Sequence, residues 1–157
     1  MEFAFDPKEL IFDEKVREQC KSCKRYGTRY SCPPYVESVE FYKRLMQGYQ
    51  QGLLIALEFV VGPDWKEDGK KSSVALANKV LEVRERLIAE GHYFAVGFGA
   101  GSCKNCVECA DPCRLPNKAL LPVEATGVNV VESFKEFIQI QFPVRDTFYR
   151  IGVVLYQ

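Results

Sequence analysis

Seven cysteines are the residues of this 157-residue chain whose types and spacing could do chemistry. Four of them crowd into the stretch CKNCVECADPC, and three lie far upstream: Cys103, Cys106, Cys109 and Cys113, and then Cys20, Cys23 and Cys32. An odd number of thiols cannot all pair within one chain, and a chain of this length can bury a core without disulfides. The cysteines are therefore predicted to bind metal or to do redox chemistry.

The second group has the spacing CxxCxxCxxxC, with which bacterial ferredoxins bind a cubane [4Fe-4S] cluster. Three thiolates placed two residues apart can wrap round a cubane, whereas zinc usually takes one CxxC pair from each of two separate places. One position departs from the ferredoxin run, because Arg114 follows Cys113 where that motif has proline. The spacing favours iron–sulfur binding, with one or two [4Fe-4S] clusters in the chain.

Cys113 can complete either ligand set, because the fourth cysteine of the ferredoxin run belongs to the other cluster. If Cys113 joins the upstream group, then Cys103, Cys106 and Cys109 form a set of only three thiolates. The fourth iron of that set would be open to water or to a substrate atom. Such a cluster is typical of an enzyme rather than of a plain electron carrier.

Three functions stay open on this basis. The favoured one is an iron–sulfur protein acting in electron transfer or redox chemistry, with a redox protein as partner. The second is an enzyme whose open-site [4Fe-4S] cluster has three cysteine ligands and acts on a small-molecule substrate. The third is a structural or interaction module stabilised by zinc, with the ion on two CxxC pairs, for example Cys20 and Cys23 with Cys106 and Cys109.

Cations flank both groups: Lys21, Lys24, Arg25, Arg29, Lys104 and Arg114. They could stabilise the reduced form of an anionic cluster and dock an acidic redox partner, or they could be ordinary solvated side chains. Arg114 lies between Cys113 and Pro116, where a guanidinium could bind an anionic substrate group or pair with a buried carboxylate.

Three further kinds of residue near the cysteines are candidate site residues: an acidic residue, a histidine and a group of aromatic residues. Glu124 is the acidic residue nearest the second group on its carboxyl side, and it could transfer protons, ligate metal through oxygen or interact with a helix start. His92, the only histidine, is predicted to be a core or boundary residue and not a ligand. Four aromatic residues could shield a cluster from water or simply pack in the core: Tyr26, Tyr30, Tyr35 and Phe98.

The hydrophobic pattern predicts an α/β fold, with a small mixed sheet of about three or four strands and helices packed on it. Strands are expected at residues 53–61, 92–98 and 148–156, and helices at 36–49, 72–90 and 131–140. The order strand, helix, strand over residues 53–98 is that of a crossover unit, so the sheet is expected to be partly parallel. Residues 1–157 are predicted to form one domain, in which two cysteine-rich loops, 16–36 and 99–116, come together at the metal site.

Composition excludes several function classes. Lys plus Arg and Asp plus Glu balance at 21 each, so no nucleic-acid footprint is expected. Neither a secretory signal nor an apolar run of membrane-spanning length is present, which favours a cytoplasmic protein without membrane contact. The glycines at 97, 99 and 101 open no helix with a GxGxxG start, so dinucleotide binding is not supported.

The stretches VREQCKSCKRYGTRYSCPPYV (16–36), GAGSCKNCVECADPCRLP (99–116) and VEATGVNV (123–130) together resemble the DUF2284 family of predicted metal-binding proteins. The likeness covers most of the chain, including YRIGVVLY near its end. It implies metal or iron–sulfur binding by the seven cysteines, with no particular reaction. In the third stretch the family usually has a serine, which is missing here, and an aspartate where Asn129 stands. If that stretch lines a substrate site, this chain binds a different substrate there or has lost the site.

Overall fold

The computed structural model of the protein describes residues 1–138 and 146–157. Five strands form one sheet in the order β1-β2-β5-β3-β4, with bounds β1 Glu2–Phe5, β2 Gln51–Val60, β3 Val96–Gly99, β4 Leu121–Pro122 and β5 Thr147–Tyr156. The α-helices are α1 Glu14–Glu18, α2 Val39–Gln47, α3 Trp65–Ala89 and α4 Val130–Phe134, and 3-10 turns lie at Pro7–Glu9, Gln19–Ser22 and Val123–Thr126. The expected mixed α/β class is confirmed, with five strands instead of three or four.

The central strands show how the predicted crossover is built. Strands β2 and β3 each pair with β5 in the antiparallel direction, so they run parallel to one another with β5 inserted between them. Helix α3 connects β2 to β3 over one face of the sheet. The sheet is therefore partly parallel, as expected, and β3 also pairs with β4 in parallel through the register Phe98↔Leu121 and Gly99↔Pro122.

The two strands that the sequence pattern did not indicate are the edge strands. Strand β1 has four residues and β4 has two, one of them Pro122. Alternation over so few residues cannot be distinguished from a loop, and proline is ordinarily a signal against a strand. At a sheet edge it is tolerated, because its missing N–H costs no ladder hydrogen bond there.

Helix α3 covers one face of the sheet with a buried stripe: Leu76, Val80, Val83 and Leu87. Val80 lies directly over two glycines of the sheet. A Cβ at Gly152 would stand 2.6 Å from Val80 Cγ2, and a Cβ at Gly97 would stand 2.7 Å from Val80 Cγ1. The absence of side chains at these two positions is what lets the helix approach the strands so closely.

The opposite face carries the larger core. Strands β2 and β5 present the residues of one parity to it, including Leu54 and Val153, while Ile55 and Val154 point to α3. Helix α2 packs here through Tyr42 and Met46, together with residues from the segment after β4. The protein thus has two apolar layers, one on each side of a single sheet.

Several element boundaries differ from the sequence prediction. Helix α3 begins at Trp65, not at residue 72, because Asp64 caps it by accepting from the Glu67 N–H at 3.2 Å. The serine pair that suggested the start lies inside the helix, where both hydroxyls donate to the Gly69 carbonyl. Helix α4 is shorter than the expected 131–140, of which residues 139 and 140 lie outside the described residues. Within the described ranges no helix is both long and apolar enough to cross a membrane.

Candidate metal centre

The first cysteine segment is a loop between α1 and α2. Cys20 lies in the 3-10 turn that continues α1, and the chain then turns repeatedly until Ser38, whose side chain caps α2. The Arg17 guanidinium closes this loop at its base, donating to the Val36 carbonyl at 3.1 Å and to the Glu37 carbonyl. The three upstream cysteines are thereby held on one side of the molecule.

The second cysteine segment connects the parallel neighbours β3 and β4. It leaves the sheet after Gly99 and returns at Leu121, so its ends are fixed by adjacent strands. Across the loop, Asn105 Nδ2 donates to the Lys118 carbonyl at 2.8 Å. All four cysteines of this group lie between Gly99 and Leu121, where the segment joins the two strands.

The two segments touch each other. The Arg29 side chain, only 8 % exposed, donates from Nη1 to the Val107 carbonyl at 3.0 Å, and the Tyr30 backbone N–H donates to Cys109 Sγ at 3.5 Å. The basic residue that the sequence grouped with solvated cations therefore joins the two loops. A metal site formed jointly by both segments stays a prediction.

The seven cysteines line two cavities. The first cavity, of about 240 Å³, is lined by Cys20, Cys23 and Cys32. The second cavity, of about 170 Å³, is lined by Cys103, Cys106, Cys109 and Cys113. All seven cysteines belong to the described part of the chain and are free thiols. The structure thus divides them into a set of three and a set of four.

Cys113 lies with its sequence neighbours in the second cavity. Of the two arrangements left open by the spacing, the structure places Cys113 with Cys103, Cys106 and Cys109. The upstream group is then the one with three thiols, the reverse of the open-site arrangement considered from the sequence. Ala110, Cys113 and Arg114 all line this cavity, an arrangement that spacing alone does not reveal.

A wall one residue thick separates the cavities. Ser31 and Cys32 are consecutive, yet Ser31 lines the second cavity and Cys32 the first. Likewise Ser102 lines the first cavity and Cys103 the second. At these two places, residues whose Cα atoms are about 3.8 Å apart line different cavities.

The thiols of the first cavity are perturbed by their surroundings. Burial raises the pKa of Cys20, and the nearby Glu124 carboxyl raises it further. Burial also raises the pKa of Cys32, against the neighbouring Ser31 side chain, which lowers it. The Arg25 backbone N–H donates to Cys23 Sγ at 3.4 Å.

Glu124 also lines the first cavity. Its Oε2 atom is buried and has no hydrogen-bond partner among the described residues. Burial raises the pKa of Glu124, while its own backbone N–H, Arg150 and the Gly101 N–H act in the opposite direction. The Glu124 carboxyl therefore lies beside three thiols. The two roles that the sequence suggested for it there, oxygen ligand and proton carrier, stay predictions.

Arg150 is a residue of this region that the sequence reasoning missed. It lies on β5, where Nε donates to Ser72 Oγ at 3.2 Å and Nη2 to the Gly69 carbonyl at 3.3 Å. Burial lowers the pKa of Arg150 and the Glu124 charge raises it. The signal was present in FYRIGVVLY, because a lone charge inside an otherwise apolar strand requires a partner.

Lys104 lies close to the wall between the cavities. Its Nζ donates to the Ser102 carbonyl at 2.6 Å and to Ser102 Oγ at 2.7 Å. Burial and the neighbouring Arg25 lower the pKa of Lys104, whereas Cys32 raises it. By contrast, Lys21, Lys24 and Arg25 are exposed.

The aromatic residues named from the sequence have different positions. Tyr26 lines the first cavity and Tyr30 the second, and Tyr35 packs on Tyr30 with ring centroids 4.8 Å apart. Phe98, on β3, is buried in the larger hydrophobic core. Of the two roles suggested for these aromatic residues, Phe98 therefore has that of core packing.

Arg114 lines the second cavity, whereas His92 lies before β3 and away from the loop that follows that strand. The His92 ring packs edge-on against Tyr156, with centroids 4.8 Å apart. Its position is that of the expected boundary residue.

The candidate donor atoms are spread too widely for a single metal ion. In the described residues no three His, Cys, Asp or Glu side chains are grouped closely enough to hold one metal ion. Tetrahedral zinc needs its sulfur donors about 2.3 Å from one point. The thiols line spaces wider than a single ion requires.

Comparison with known proteins gives one match. A family model described as "Predicted metal-binding protein (DUF2284)" matches residues 4–156. No curated protein and no solved structure matches the chain.

Proposed function

Since the chain belongs to the DUF2284 family of predicted metal-binding proteins, we propose that it is an iron–sulfur protein that holds one cluster in each cavity and carries electrons. The observation that carries the proposal is the division of seven free cysteines between two adjoining cavities. When bound, [4Fe-4S] clusters supply one-electron redox chemistry.

The donor set of the second cavity fits a cubane. Four thiols with the ferredoxin spacing line one space, and the Tyr30 N–H donates to one of the sulfurs. Hydrogen bonds to sulfur help to set the potential of such clusters. Apolar residues such as Ala119 and Leu121 complete the lining and limit contact with water.

The size of the cavities supports a cluster over a single ion. One water molecule takes about 30 Å³ of liquid volume, so a cavity of about 170 Å³ has room for a group of several atoms. Thiolates bound to different irons of a cubane can also stand farther apart than those of one zinc ion. The donor spacing therefore favours iron–sulfur binding over the zinc alternative.

The thin wall supports electron transfer within the molecule. Cys32 of the first set directly follows Ser31, which lines the second cavity, and Cys103 of the second set directly follows Ser102, which lines the first cavity. Such proximity suits a relay between two redox centres. The two cavities adjoin because each cysteine loop contributes residues to the lining of both.

The surrounding charges suggest the partner. Arg29 and Lys104 are held at the cavities by hydrogen bonds, and Lys21, Lys24 and Arg25 are exposed nearby. Cations on this side favour the reduced, more negative clusters and a redox partner with an acidic surface. Free thiols in this number also suit the reducing environment of the cytoplasm.

A second candidate function is an enzyme that works at the first cavity. The specific observation in its favour is the set of only three thiols, which leaves one iron of a cubane without a cysteine ligand. A small-molecule substrate would then bind beside Glu124. This candidate enzyme would hold the same [4Fe-4S] clusters as the proposed electron carrier.

The test is anaerobic purification followed by iron, acid-labile sulfide and zinc analysis of one sample, with a visible spectrum. The expected result is about eight irons and about eight sulfides per chain, since each cubane holds four of each. The double variants Cys20→Ser/Cys23→Ser and Cys106→Ser/Cys109→Ser should each retain about half. Zinc without sulfide would overturn the proposal, and four irons in the unmodified chain would reduce it to a single cluster.

A further inference from the structure

Among the described residues, Glu124 is the one acidic side chain that lines the cavity with three thiols. It belongs to the 3-10 turn Val123–Thr126 directly after β4, where Thr126 Oγ1 donates to the Val123 carbonyl at 2.6 Å. Gly127, at a φ of +87°, ends the turn in the left-handed region. The carboxyl is therefore carried by a short, closed element next to the sheet and not by a mobile loop.

The surroundings of Glu124 leave one of its oxygens without a partner. Oε2 is buried and unpaired among the described residues. Arg150 is near enough to influence the carboxyl, but the guanidinium donates to Ser72 and Gly69. In the described part of the chain, no ion pair includes Glu124.

A buried carboxylate oxygen without a partner is costly, and natural proteins pair such a group, protonate it or use it to coordinate metal. The three thiols beside it supply one ligand fewer than a cubane has irons. A carboxylate oxygen is a known ligand for iron in proteins. The missing ligand and the unpaired oxygen lie in the same cavity.

We propose that Glu124 is the non-cysteine ligand of the first cavity, binding through Oε2 the iron that Cys20, Cys23 and Cys32 leave without a thiolate. The inference rests on the proposed function and deepens it. One coordinate bond forms, from the carboxylate oxygen to iron, and any proton on the carboxyl is released to solvent. An oxygen ligand exchanges more readily than a thiolate, so this iron would be the one accessible to a small anionic or sulfur-containing ligand.

The test uses a full-length background chain in which the second cavity is disabled by Cys106→Ser/Cys109→Ser. Three further substitutions are made separately in it: Glu124→Gln, Glu124→Cys and, as a control, Glu108→Gln, an exposed carboxylate of the second loop. Each chain is loaded anaerobically with iron and sulfide. Iron per chain and the EPR spectrum are measured before and after mild oxidation by ferricyanide.

The background and the Glu108→Gln chain are expected to retain about four irons per chain. Glu124→Gln should fall to about three, with the EPR signal of a three-iron cluster after oxidation. Glu124→Cys, which restores a ligand, should retain about four with an altered spectrum. Circular dichroism of the unloaded chains checks that all four fold alike.

Two results would overturn the inference while leaving the proposed function intact. One is a Glu124→Gln chain that matches the background in iron content and spectrum. The other is equal loss of iron from Glu124→Gln and Glu124→Cys, which would assign the effect to packing. A background chain that takes up neither iron nor sulfide would instead overturn the two-cluster proposal, and this inference with it.

Discussion

At the scale of single residues, Arg29 decides how the two cysteine loops meet. It is one of six cations near the cysteines, and the structure buries it and directs its Nη1 to the Val107 carbonyl. Its Nε has no partner among the described residues. A buried charge of this kind is retained because it joins segments that no β-ladder connects.

Replacing Arg29 by alanine should loosen the contact between the loops. Loss of a hydrogen bond from a charged donor costs about 1.5–3 kcal/mol, and we expect the unfolding free energy of the unloaded chain to fall by about that amount. The loaded chain should also lose its visible absorbance several-fold faster in the presence of an iron chelator. Arg25→Ala, which removes an exposed neighbour, is the control, and equal bleaching rates for the two variants would contradict this role.

At the scale of elements, the packing of α3 on the sheet depends on glycine. Gly152 faces Val80, and a Cβ there would also stand 2.9 Å from the Phe98 carbonyl oxygen. Gly69, inside the same helix, has room for a Cβ, since its nearest neighbour would be Arg150 Nη2 at 3.6 Å. Replacing these two glycines by alanine should therefore change the unfolding free energy in opposite directions.

Gly152→Ala is expected to lower the unfolding free energy by about 1–3 kcal/mol, because backbone and a packed side chain must both move. Gly69→Ala should raise it by about 0.5–1 kcal/mol, because alanine restricts the unfolded chain and favours the helix. Urea denaturation of the unloaded proteins measures both. The same sign of change in the two variants would show that the close approach of Val80 does not limit the packing.

A second prediction at this scale concerns the ion pair between strand β1 and helix α3. Arg86 donates to Glu2 at 2.7 Å, and this hydrogen bond holds the pKa of Glu2 below its ordinary value. The stabilisation is complete above the unfolded-state pKa of about 4.3 and is lost as the pH falls through the lower folded-state pKa. Glu2→Gln should thus destabilise the protein at neutral pH by no more than about 1 kcal/mol, given its partial exposure.

The measurement is the urea midpoint of Glu2→Gln and of the unmodified chain across an acid titration. The difference should vanish at low pH, where Glu2 is protonated in both states. Glu58→Gln, an exposed carboxylate on β2 that has no ion pair among the described residues, should show no such dependence. A deficit that persists unchanged in acid would assign the effect to packing instead of charge.

At the scale of the whole molecule, the cysteine loops lie outside the two apolar layers. Of the seven cysteines only Cys32 is buried, and the core clusters on both faces of the sheet consist of other residues. The two cysteine loops are therefore attached to a fold that has its own core. This separates the protein from small metal-dependent domains that unfold without their ion.

Removal of metal should accordingly leave the sheet and α3 folded. We expect the far-ultraviolet circular dichroism to change little on chelation. Hydrogen exchange should rise mainly in residues 16–36 and 99–116, which lose the metal that fixes them. Cooperative loss of all secondary structure on chelation would contradict this prediction.

The sequence by itself determined the mixed α/β class, the three long or central strands β2, β3 and β5, helix α3 and the family. Each of these depends on a pattern that is local in the chain: apolar runs, helical periodicity and cysteine spacing. The short edge strands β1 and β4 were missed, because two to four residues carry too little periodicity to be recognised. The helix start at Asp64 was missed because a serine pair seven residues into α3 imitates a cap.

The tertiary structure alone decided which cysteines lie together. Spacing left Cys113 free to join either set, and only the folded loop places it in the second cavity. Glu124 lies beside the upstream cysteines, and Arg29 reaches Val107, because β3, β4 and α1 bring together segments that are distant in the chain. A linear sequence records which cysteines and carboxylates are present, whereas their grouping depends on long-range contacts that the sheet and its two apolar layers impose.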